Sequence, residues 1–418
     1  MIDVPKKFYN IQSVLEIPPP TGDNLKLLPS IFPKGFLGQE MCKEKFVSIP
    51  EEVRDVYRTY RPTPLVRAER LEKFLDLPNG IKIFYKREDV TPSGSHKINS
   101  ALMQAYLAKQ EGFKRIATET GAGQWGTALS IACKIFGLDC SVYMVRCSYN
   151  QKPYRKVLMR LFGAEIFSSP SKLTKFGRNV LKKMPNTSGS LGIAIGEALE
   201  DTIKHNDTVY ALGSVLNCVL MHQTIIGMEV KDQLKEIGER PDSMIGCVGG
   251  GSNFAGFMLP FVENKMNGEN IDFIAVEPKS CPTLTKADYK YDYGDTAKLT
   301  PLLKMFSLGY DFIPPAIHAG GLRYHGMAPI ISALIKNGLI RAKAYDQIEV
   351  FKAGKLFSEI ECLIPAPETC HAIKAAIDEA LKAKKNNEKK TIVFIYSGHG
   401  LLDLKGYEDF LDGKLKTS

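Results

Sequence analysis

The sequence predicts an α/β protein with two doubly wound lobes, each with a mainly parallel sheet, and an active site between them. Short apolar segments such as RIATET and DFIAVEP alternate with longer segments of helical periodicity. This alternation is typical of parallel sheets covered by helices on both faces. It occurs in two series along the chain, which indicates two lobes. Glycine-rich turns directly follow several predicted strands, where α/β proteins bind their ligands.

The first series follows a proline-rich beginning. Residues 1–60 contain EIPPPTGDN and LLPSIFPKG and show little periodicity, so we expect an extension that packs on the body. One lobe is then expected over residues 61–215 and a second over 216–418. Predicted strands of the first series are 82–89, 115–120, 140–147 and 164–169, and its predicted helices are 96–111, 123–137, 152–163 and 190–204. The second series has predicted strands at 243–250, 272–278 and 391–398, with helices at 253–264, 327–337 and 368–384.

Composition argues against several classes of protein. The net charge is +9, but the basic residues are spread along the chain and the densest run, KAKKNNEKK at 382–390, is best explained as a solvated helix end and loop. Nine cysteines lie far apart without a CxxC pair or a metal-ligand cluster, which favours free thiols in a reducing compartment. No signal peptide or bilayer-length apolar segment is visible. We therefore expect a cytoplasmic protein that binds neither nucleic acid nor membrane, with no metal held by side chains.

Lys97 stands where a helix begins, in the segment TPSGSHKINSALMQAYLAKQ. The helical stripe Ile98, Leu102 and Ala105 follows it directly. The positive end of the helix dipole disfavours an ammonium group at this place. Lys97 either points to water, as most lysines do, or serves as a nucleophilic amine that can form an imine.

A glycine-rich loop follows the strand in GCVGGGSNFAGFMLP. Consecutive glycines allow backbone N–H groups to converge, and the following helix adds its dipole, so the loop is suited to a phosphate. No GK[ST] follows, and the spacing is not that of a dinucleotide-binding GxGxxG turn. The alternative is a glycine turn that only permits close packing of helix and strand. The loop residues are Gly249, Gly250, Gly251, Ser252 and Asn253.

A second turn, in TETGAGQWGTA, follows the strand that ends at Glu119. Its backbone amides from Thr120 to Gln124 open the next helix and form a nest suited to a carboxylate, beside Glu119 as an acid or base. The alternatives are helix-entry glycines and a glutamate that caps or forms an ion pair.

Ser397 follows the last predicted strand, in FIYSGHG. It is not the nucleophile of a GxSxG elbow, because Ile395 occupies the first glycine position, so we expect a hydroxyl that donates a hydrogen bond into a pocket. A phosphate loop, a carboxylate nest, an acid/base glutamate, a pocket serine and an activated lysine together suit pyridoxal phosphate and an amino-acid substrate.

Five motifs, in the order GSHKIN, ETGAGQWG, GGGSN, IPAPE and SGHG, resemble the tryptophan synthase β subunit family of fold-type-II pyridoxal phosphate enzymes. The resemblance covers about residues 55–415 and is strongest to the second class of the family, which has a longer N-terminal segment and AGGLRYHG. It implies that Lys97 forms the Schiff base, that His96 contacts the cofactor phosphate and that Glu119 is the catalytic glutamate. It also places Glu361 near the cofactor ring and Ser397 opposite the pyridine nitrogen. The phosphate loop would be Gly249, Gly250, Gly251, Ser252 and Asn253, and the substrate-carboxylate loop would be Thr120, Gly121, Ala122, Gly123 and Gln124.

Two positions depart from the better-known class of the family. Trp125 replaces a histidine after GAGQ, and Arg323 replaces an aspartate that closes over bound serine. An arginine would pair with a carboxylate or phosphate instead, so Arg323 is a candidate substrate-binding residue. The alternative is an Arg323 that turns outward to an ion pair or packs along Tyr324.

The resemblance implies condensation of L-serine with indole to give L-tryptophan and water. It also implies a homodimer, a mobile substrate-closing part at about residues 110–200 and a possible α subunit that supplies indole. A K⁺ or Na⁺ ion held by backbone carbonyls would leave no side-chain signature. O-phospho-L-serine as donor, favoured by Arg323, is an alternative. A serine/threonine deaminase or a threonine synthase is disfavoured by ETGAGQ, and a non-catalytic cofactor-binding subunit by the intact Lys97, Glu119 and Ser397.

Overall fold

The structure is a computed structural model that describes residues 3–417. Its strands are β1 (Lys7–Tyr9), β2 (Phe46–Ser48), β3 (Leu65–Arg67), β4 (Ile81–Arg87), β5 (Arg115–Thr120), β6 (Asp139–Val145), β7 (Glu165–Ser169), β8 (Thr208–Ala211), β9 (Ser243–Cys247), β10 (Asp272–Pro278), β11 (Asp288–Tyr293), β12 (Leu302–Ser307), β13 (Ile340–Tyr345) and β14 (Lys390–Tyr396).

The first nine α-helices are α1 (Leu28–Ile31), α2 (Lys34–Glu40), α3 (Glu51–Arg58), α4 (Glu69–Phe74), α5 (Ile98–Gln110), α6 (Gln124–Phe136), α7 (Arg146–Gln151), α8 (Pro153–Leu161) and α9 (Lys175–Lys183). They are followed by α10 (Leu191–Ile203), α11 (Asn217–Gln223), α12 (Ile225–Glu236), α13 (Ser252–Met258), α14 (Val262–Met266), α15 (Pro329–Lys336), α16 (Gln347–Glu361), α17 (Pro367–Lys385) and α18 (Leu404–Leu411).

Two sheets organise the chain, and they confirm the predicted fold class. A four-stranded parallel sheet has the order β7-β6-β5-β8, and a six-stranded sheet has the order β13-β10-β9-β14-β4-β3, parallel except for β3. Two antiparallel pairs, β1 with β2 and β11 with β12, lie outside these sheets.

The larger sheet is covered by helices on both faces, as its central strand shows. In β14, Ile392 and Phe394 belong to one hydrophobic core, which includes α17, and Val393 and Ile395 to another, which includes α13. Successive strand residues point to opposite faces, so a strand that is apolar throughout requires cover on both. The sequence IVFIY therefore specifies an interior strand of a doubly wound sheet.

Sheet pairing does not follow the predicted boundary of the first lobe at residue 61. Strands β3 and β4 lie within 61–215, yet β4 pairs in parallel with β14 and β3 pairs with β4, so both belong to the larger sheet. The physical reason is that β4 and β14 are both apolar enough to be buried, and they satisfy each other's backbone groups along seven residues.

The N-terminal extension packs into the main core. Phe8, Phe36 and Tyr57 are fully buried and share one hydrophobic core with Ile98 and Leu102 of α5. The described part of the extension, from residue 3 to about residue 60, therefore contributes to the main hydrophobic core. Among the helices of residues 3–417, none is both long and apolar enough to cross a bilayer.

Candidate active site

A cavity of about 600 Å³ lies at the carboxyl ends of β5, β8, β9 and β14. Ligands of open α/β sheets bind at this end of the strands. Most of the predicted site residues line it together: His96, Lys97, Glu119, Thr120, Gly121, Ala122, Gln124, Gly249, Gly250, Gly251, Ser252, Asn253 and Ser397.

Lys97 occupies the position directly before the first turn of α5, and its amine faces the cavity. Its Nζ donates a hydrogen bond to the Gly213 carbonyl oxygen at 3.1 Å. Burial lowers the pKa of Lys97 to about 8, although the nearby Glu119 and Glu368 carboxylates act in the opposite direction. A larger share of this side chain is a neutral, nucleophilic amine at neutral pH than for an ordinary lysine.

Glu119 is buried at the end of β5, and its carboxylate accepts a hydrogen bond from the Tyr210 hydroxyl. Burial raises the pKa of Glu119 to about 7, while the Tyr210 hydrogen bond and the charge of Lys97 act to lower it. A carboxyl group that titrates near neutral pH can both donate and accept a proton during turnover.

The turn after Glu119 has the shape of an anion-binding nest. Gly123 has φ +92°, in the left-handed region, and precedes the first residue of α6. A Cβ at Gly121 would lie 2.9 Å from the Gly320 carbonyl oxygen, so only glycine permits this close approach. The Thr120 hydroxyl accepts a hydrogen bond from the Gly126 N–H at 3.1 Å and fixes the turn to the helix. Thr120, Gly121, Ala122 and Gln124 line the cavity, and the backbone amides of such a turn suit a carboxylate.

The glycine-rich loop after β9 leaves no room for side chains. A Cβ at Gly249 would lie 2.2 Å from the Gly321 carbonyl oxygen, and one at Gly250 would lie 2.4 Å from Ser214 Oγ. Gly251 has φ +103° and directly precedes α13. The chain therefore brings bare backbone to the cavity wall at this point, as a phosphate group requires.

Two buried polar atoms beside this loop fit a bound phosphate or ring. His96 Nε2 and Asn253 Oδ1 have no hydrogen-bond partner among residues 3–417, although both side chains line the cavity. His96 Nδ1 lies 3.3 Å from the Ser397 carbonyl oxygen, which orients the ring. Burial lowers the pKa of His96 to about 3, and an anion at Nε2 would favour its protonated form. The residues present therefore fit pyridoxal phosphate, with its phosphate at the loop.

Ser397 completes the site at the end of β14. Its Oγ lies 2.7 Å from Thr369 Oγ1 and 3.6 Å from Cys247 Sγ, so its neighbours are neutral groups. A neutral partner leaves a pyridine nitrogen largely unprotonated, which moderates electron withdrawal by the ring.

Glu361 does not lie at the cavity, contrary to the prediction. It is the last residue of α16, and its carboxylate accepts a hydrogen bond from the Leu71 N–H at 2.9 Å. A different glutamate, Glu368 in the first turn of α17, lines the cavity and accepts a hydrogen bond from the Gly321 N–H at 2.8 Å. Glu368 is the final residue of the IPAPE motif, which was a usable signal in the sequence.

Arg323 also lies outside the lining of the cavity, where it was expected to meet the substrate. Its side chain is buried, and its guanidinium donates to the Pro314 carbonyl oxygen at 2.6 Å and to Cys147 Sγ. The alternative of an exposed ion pair is wrong. Its neighbours Leu322 and Tyr324 line the cavity instead.

Three further residues line the cavity, and two of them, Tyr210 and Ser214, had no signal in the sequence. Tyr210 and Ser214 come from the end of β8 and the loop after it, and no strand was predicted at 208–211. Trp125, which departs from the better-known class, lines the cavity and donates its indole N–H to Thr118 Oγ1 at 2.7 Å.

The outer part of the cavity is apolar and is built largely by the N-terminal extension. It is lined by Ile17, Leu25, Leu28, Ile31, Phe32, Leu37 and Met41 from the extension and by Leu191, Ile195 and Leu199 from α10. Five residues of the extension line the cavity and are also exposed to solvent: Pro19, Leu25, Pro29, Met41 and Lys43. The mouth of the cavity therefore lies on the extension. This shape suits a flat apolar ligand that enters from that side.

No group of three or more His, Cys, Asp or Glu side chains in residues 3–417 could hold a metal ion. The polar groups that line the cavity include the amine of Lys97, the carboxyl groups of Glu119 and Glu368, the imidazole of His96, hydroxyl groups and the backbone amides of two glycine-rich turns. Such a donor set suits an organic phosphate cofactor and an amino acid.

Comparison with known proteins agrees with this geometry. The profile of the family described as "Pyridoxal-phosphate dependent enzyme" matches residues 56–398. Two solved structures share the fold. One is an L-serine ammonia-lyase from Rhizomucor miehei, with TM-score 0.63, 16% identity and coverage of 84% of this chain and 98% of that one. The other is a threonine deaminase from T.th., with TM-score 0.55, 17% identity and coverage of 84% and 97%.

Curated relatives are much more similar in sequence. Tryptophan synthase beta chain 2 of Methanothermobacter thermautotrophicus is 56% identical over 99% of this chain and 98% of its own length. The beta chain 2 of Thermotoga maritima is 55% identical over 97% of each chain, and the beta chain of Pyrococcus horikoshii is 54% identical over 99% of this chain and 92% of its own. The predicted family is confirmed. This chain belongs to the tryptophan synthase β family and is a pyridoxal-phosphate-dependent enzyme.

Proposed function

We propose that this enzyme condenses L-serine with indole and produces L-tryptophan and water. The observation that carries the proposal is Glu119, a buried carboxyl group with a pKa of about 7 that shares one cavity with Lys97. An elimination enzyme needs the lysine, but a further acid/base group beside an apolar chamber suits addition of a second, aromatic substrate. The names of the similar chains support the same activity.

The cofactor would be held at both ends of the inner cavity. Lys97 would carry it, the loop 249–253 with His96 would hold its phosphate, and Ser397 would face its ring nitrogen. When bound, pyridoxal phosphate withdraws electrons from the Cα of the attached amino acid and so makes its α-proton acidic.

Different protein groups would bind the serine carboxylate and transfer protons to and from serine. The nest from Thr120 to Gln124 binds the carboxylate and fixes the position of the Cα–H bond. The amine of Lys97, whose pKa burial lowers to about 8, would accept the α-proton in its neutral form. Departure of the serine hydroxyl as water requires a proton, which Lys97 or the protonated form of Glu119 supplies.

Addition of indole uses the same glutamate in its charged form. Indole is a flat apolar ring with one N–H donor, and it fits the chamber lined by α10 and the N-terminal extension. After the hydroxyl has left, a new bond from indole C3 to that Cβ would place positive charge on the indole nitrogen, which the Glu119 carboxylate would stabilise. Glu119 would then accept the proton that C3 loses as the aromatic ring is restored, and Lys97 would return the α-proton to Cα.

The assembly and surroundings of the enzyme are part of the proposal. Family membership supports a homodimer, and the mouth on the N-terminal extension supports uptake of free indole as well as delivery by an α subunit. Nine unpaired cysteines support a reducing, cytoplasmic location. Light scattering tests the assembly. Turnover with and without an added α subunit tests the partner, and activity in K⁺, in Na⁺ or in neither tests the predicted monovalent cation.

The decisive assay is tryptophan formation by the purified protein with pyridoxal phosphate and indole. L-serine and O-phospho-L-serine are compared as donors, and pyruvate is measured to detect deamination. We expect tryptophan from L-serine, because the buried Arg323 that would favour a phosphorylated donor contacts Cys147 and Pro314 rather than the cavity. Pyruvate without tryptophan would show a deaminase instead.

A further inference from the structure

A buried ion cluster joins the two lobes behind the carboxylate nest. Lys152 Nζ lies 2.6 Å from one oxygen of Asp403, and Arg155 Nη2 lies 3.1 Å from the other. The side chains of Lys152, Arg155 and Asp403 are at most 4% exposed. Lys152 precedes α8 and Arg155 lies in it, whereas Asp403 follows β14 near the end of the chain.

Lys152 also holds a third segment. Its amine donates to the His318 carbonyl oxygen at 3.1 Å, at the beginning of the loop 318–322. This loop lies against the nest, because a Cβ on Gly320 would be 3.2 Å from the side chain of Ala122. The same loop continues to Gly321, whose N–H is held by Glu368. Lys152 thus connects the loop 318–322, the segment that follows β14 in the larger sheet and the part of the first lobe that carries α8.

Arg155 lies directly against the nest and does not line the cavity. Its Cβ is 3.0 Å from the position that a Cβ on Gly123 would occupy. Its Nε and Nη1 have no hydrogen-bond partner among the residues that the structure describes. Two cations and one anion leave a net charge of +1 in a buried place next to a turn that binds a carboxylate. Charges in such places are weakly screened by solvent.

A buried cluster of this kind is costly unless its geometry is fixed. The Asp403 carboxylate is removed from water, yet the charges of Lys152 and Arg155 hold its pKa below the ordinary value. Removal of one partner of a buried ion pair leaves an uncompensated charge, so separating the lobes here is unfavourable. The cluster therefore favours the arrangement in which the nest and the loop 318–322 are in contact.

We propose that Lys152 and Arg155 are positioning residues for the carboxylate of the amino-acid substrate, and that the Lys152–Asp403–Arg155 cluster latches the nest against the loop 318–322. This inference rests on the proposed function, because it assumes an amino-acid carboxylate in the nest. The latch would fix the position of the substrate carboxylate. It would also keep water from the Cβ of serine until indole binds.

The test compares Lys152→Met with Lys343→Met, a matched substitution in the Lys343–Glu379 ion pair of the larger sheet. In Lys152→Met we expect the KM for L-serine to rise about tenfold, the scale of one charge-assisted hydrogen bond. The pyruvate formed per tryptophan should rise too, because admitted water converts serine to pyruvate and ammonia. Lys343→Met should change neither quantity, and Lys152→Arg, which keeps the charge, should restore most of the wild-type KM.

Hydrogen exchange provides a measurement that does not depend on turnover. Without substrate, the amides of residues 120–126 should exchange faster in Lys152→Met than in wild type or Lys343→Met. A lower melting temperature with an unchanged KM, product ratio and exchange rate would show a merely structural cluster and overturn the inference. If wild type forms no tryptophan but Lys152→Met still raises the KM for serine in pyruvate formation, the latch stands and the proposed indole reaction fails.

Discussion

Lys97 and Glu119 share the cavity with opposite shifts of pKa that have one cause. Burial penalises the charged form of each, so the pKa of the lysine falls to about 8 and that of the glutamate rises to about 7. Each group therefore changes protonation near neutral pH at little cost. The two residues can therefore exchange protons with a substrate bound between them.

The first residue-scale prediction concerns the attachment of the cofactor. Borohydride reduction of the yellow holoenzyme should fix the pyridoxyl group on the segment 91–110, which contains Lys97. Lys97→Ala should bind cofactor without that attachment and lose turnover. Peptide mass spectrometry checks both. A pyridoxyl group recovered on another lysine would assign the amine elsewhere.

The second residue-scale prediction uses Tyr210 to adjust Glu119. The Tyr210 hydrogen bond lowers the pKa of Glu119, so Tyr210→Phe should raise that pKa further above about 7. Addition of indole needs the carboxylate, whose population falls as pH falls through this pKa. The acid limb of the pH profile for tryptophan formation should therefore move to higher pH.

Tyr143→Phe serves as the control for this change. Tyr143 is a buried tyrosine of β6 that interacts with Asp201 and does not line the cavity. Its loss should leave the position of the acid limb unchanged. If Tyr210→Phe also leaves the limb in place, Glu119 is not the group that limits the rate at low pH.

Single residues were predictable where their function follows from local chain geometry. Lys97 at a helix start and Glu119 at a strand end need only a few neighbours in sequence. The IPAPE motif marks Glu368, but the sequence does not show that Glu361 lies apart from it, because a left-handed Cys362 with φ 58° ends α16 between them and redirects the chain. The orientation of Arg323 depends on Cys147, which is 176 positions away in sequence.

At the scale of elements, the loop between β9 and α13 is set by close contact with a second loop. Gly249 and Gly250 approach Gly321 and Ser214 so closely that any side chain would displace one of the loops. The binding surface for the phosphate is thus a property of three segments held together. Of the three glycines, only Gly251 has a positive φ. Gly249 and Gly250 are therefore required by the close approach of neighbouring segments and not by their backbone conformation.

Gly249→Ala should consequently weaken cofactor binding. Its Cβ would lie 2.2 Å from a backbone oxygen of Gly321, which cannot rotate away as a side chain could. We expect the Kd for pyridoxal phosphate to rise about tenfold or more, since even small displacements of a binding group are costly. Absorbance titration of the apoenzyme measures it.

Gly38→Ala is the matched control for that measurement. Gly38 lies in α2 with no atom within 4 Å of a Cβ position. Alanine is favoured over glycine in a helix by roughly 0.5–1 kcal/mol, so this variant should be as stable as wild type or more so. An equal loss of cofactor affinity in both variants would show that the close packing of Gly249 is not what maintains the phosphate site.

Helices and strands were predictable where apolar periodicity is strong. Predicted strands at 115–120 and 272–278 match β5 and β10, and the helix at 123–137 matches α6 within one residue at each end. The strands β11 and β12 were missed, because KYDY and LLKM alternate weakly and β11 is only half-buried. Their pairing becomes visible only when the two strands lie side by side.

At the scale of the whole molecule, a buried charge network joins the end of the extension to the larger sheet. Glu229 of α12 accepts hydrogen bonds from Arg61 at 2.8 Å and Lys86 at 2.7 Å, and Arg61 also pairs with Glu88. All four side chains are fully buried. Although burial acts in the opposite direction, the two cations hold the pKa of Glu229 below its ordinary value.

Glu229→Gln should strongly reduce the stability of the protein. The change leaves two buried cations with one carboxylate, and loss of one partner from a buried network costs about 3–5 kcal/mol. The free energy of unfolding in urea measures the effect. Glu359→Gln, at the exposed Lys355–Glu359 pair of α16, should leave it unchanged. A small effect of Glu229→Gln would show that this network adapts by taking up water.

The division into two sheets was the least predictable feature. Alternation of strands and helices indicates parallel sheets, but it does not say which strand joins which sheet. Pairing of β4 with β14 brings residue 81 beside residue 390, a choice made by burial across the whole chain. The sequence therefore predicts the fold class, but it does not show that residues 65–87 pair within the larger sheet.

The position of the N-terminal extension separates the choice of aromatic substrate from the chemistry. Leu25 and Met41 lie at the mouth of the cavity, whereas Lys97 and Glu119 lie at its inner end and come from other segments. Substitutions at the mouth would change which ring systems enter without altering the groups that make and break bonds. The range of products could therefore diversify, through mutation in nature or in the laboratory, while the reaction itself stays the same.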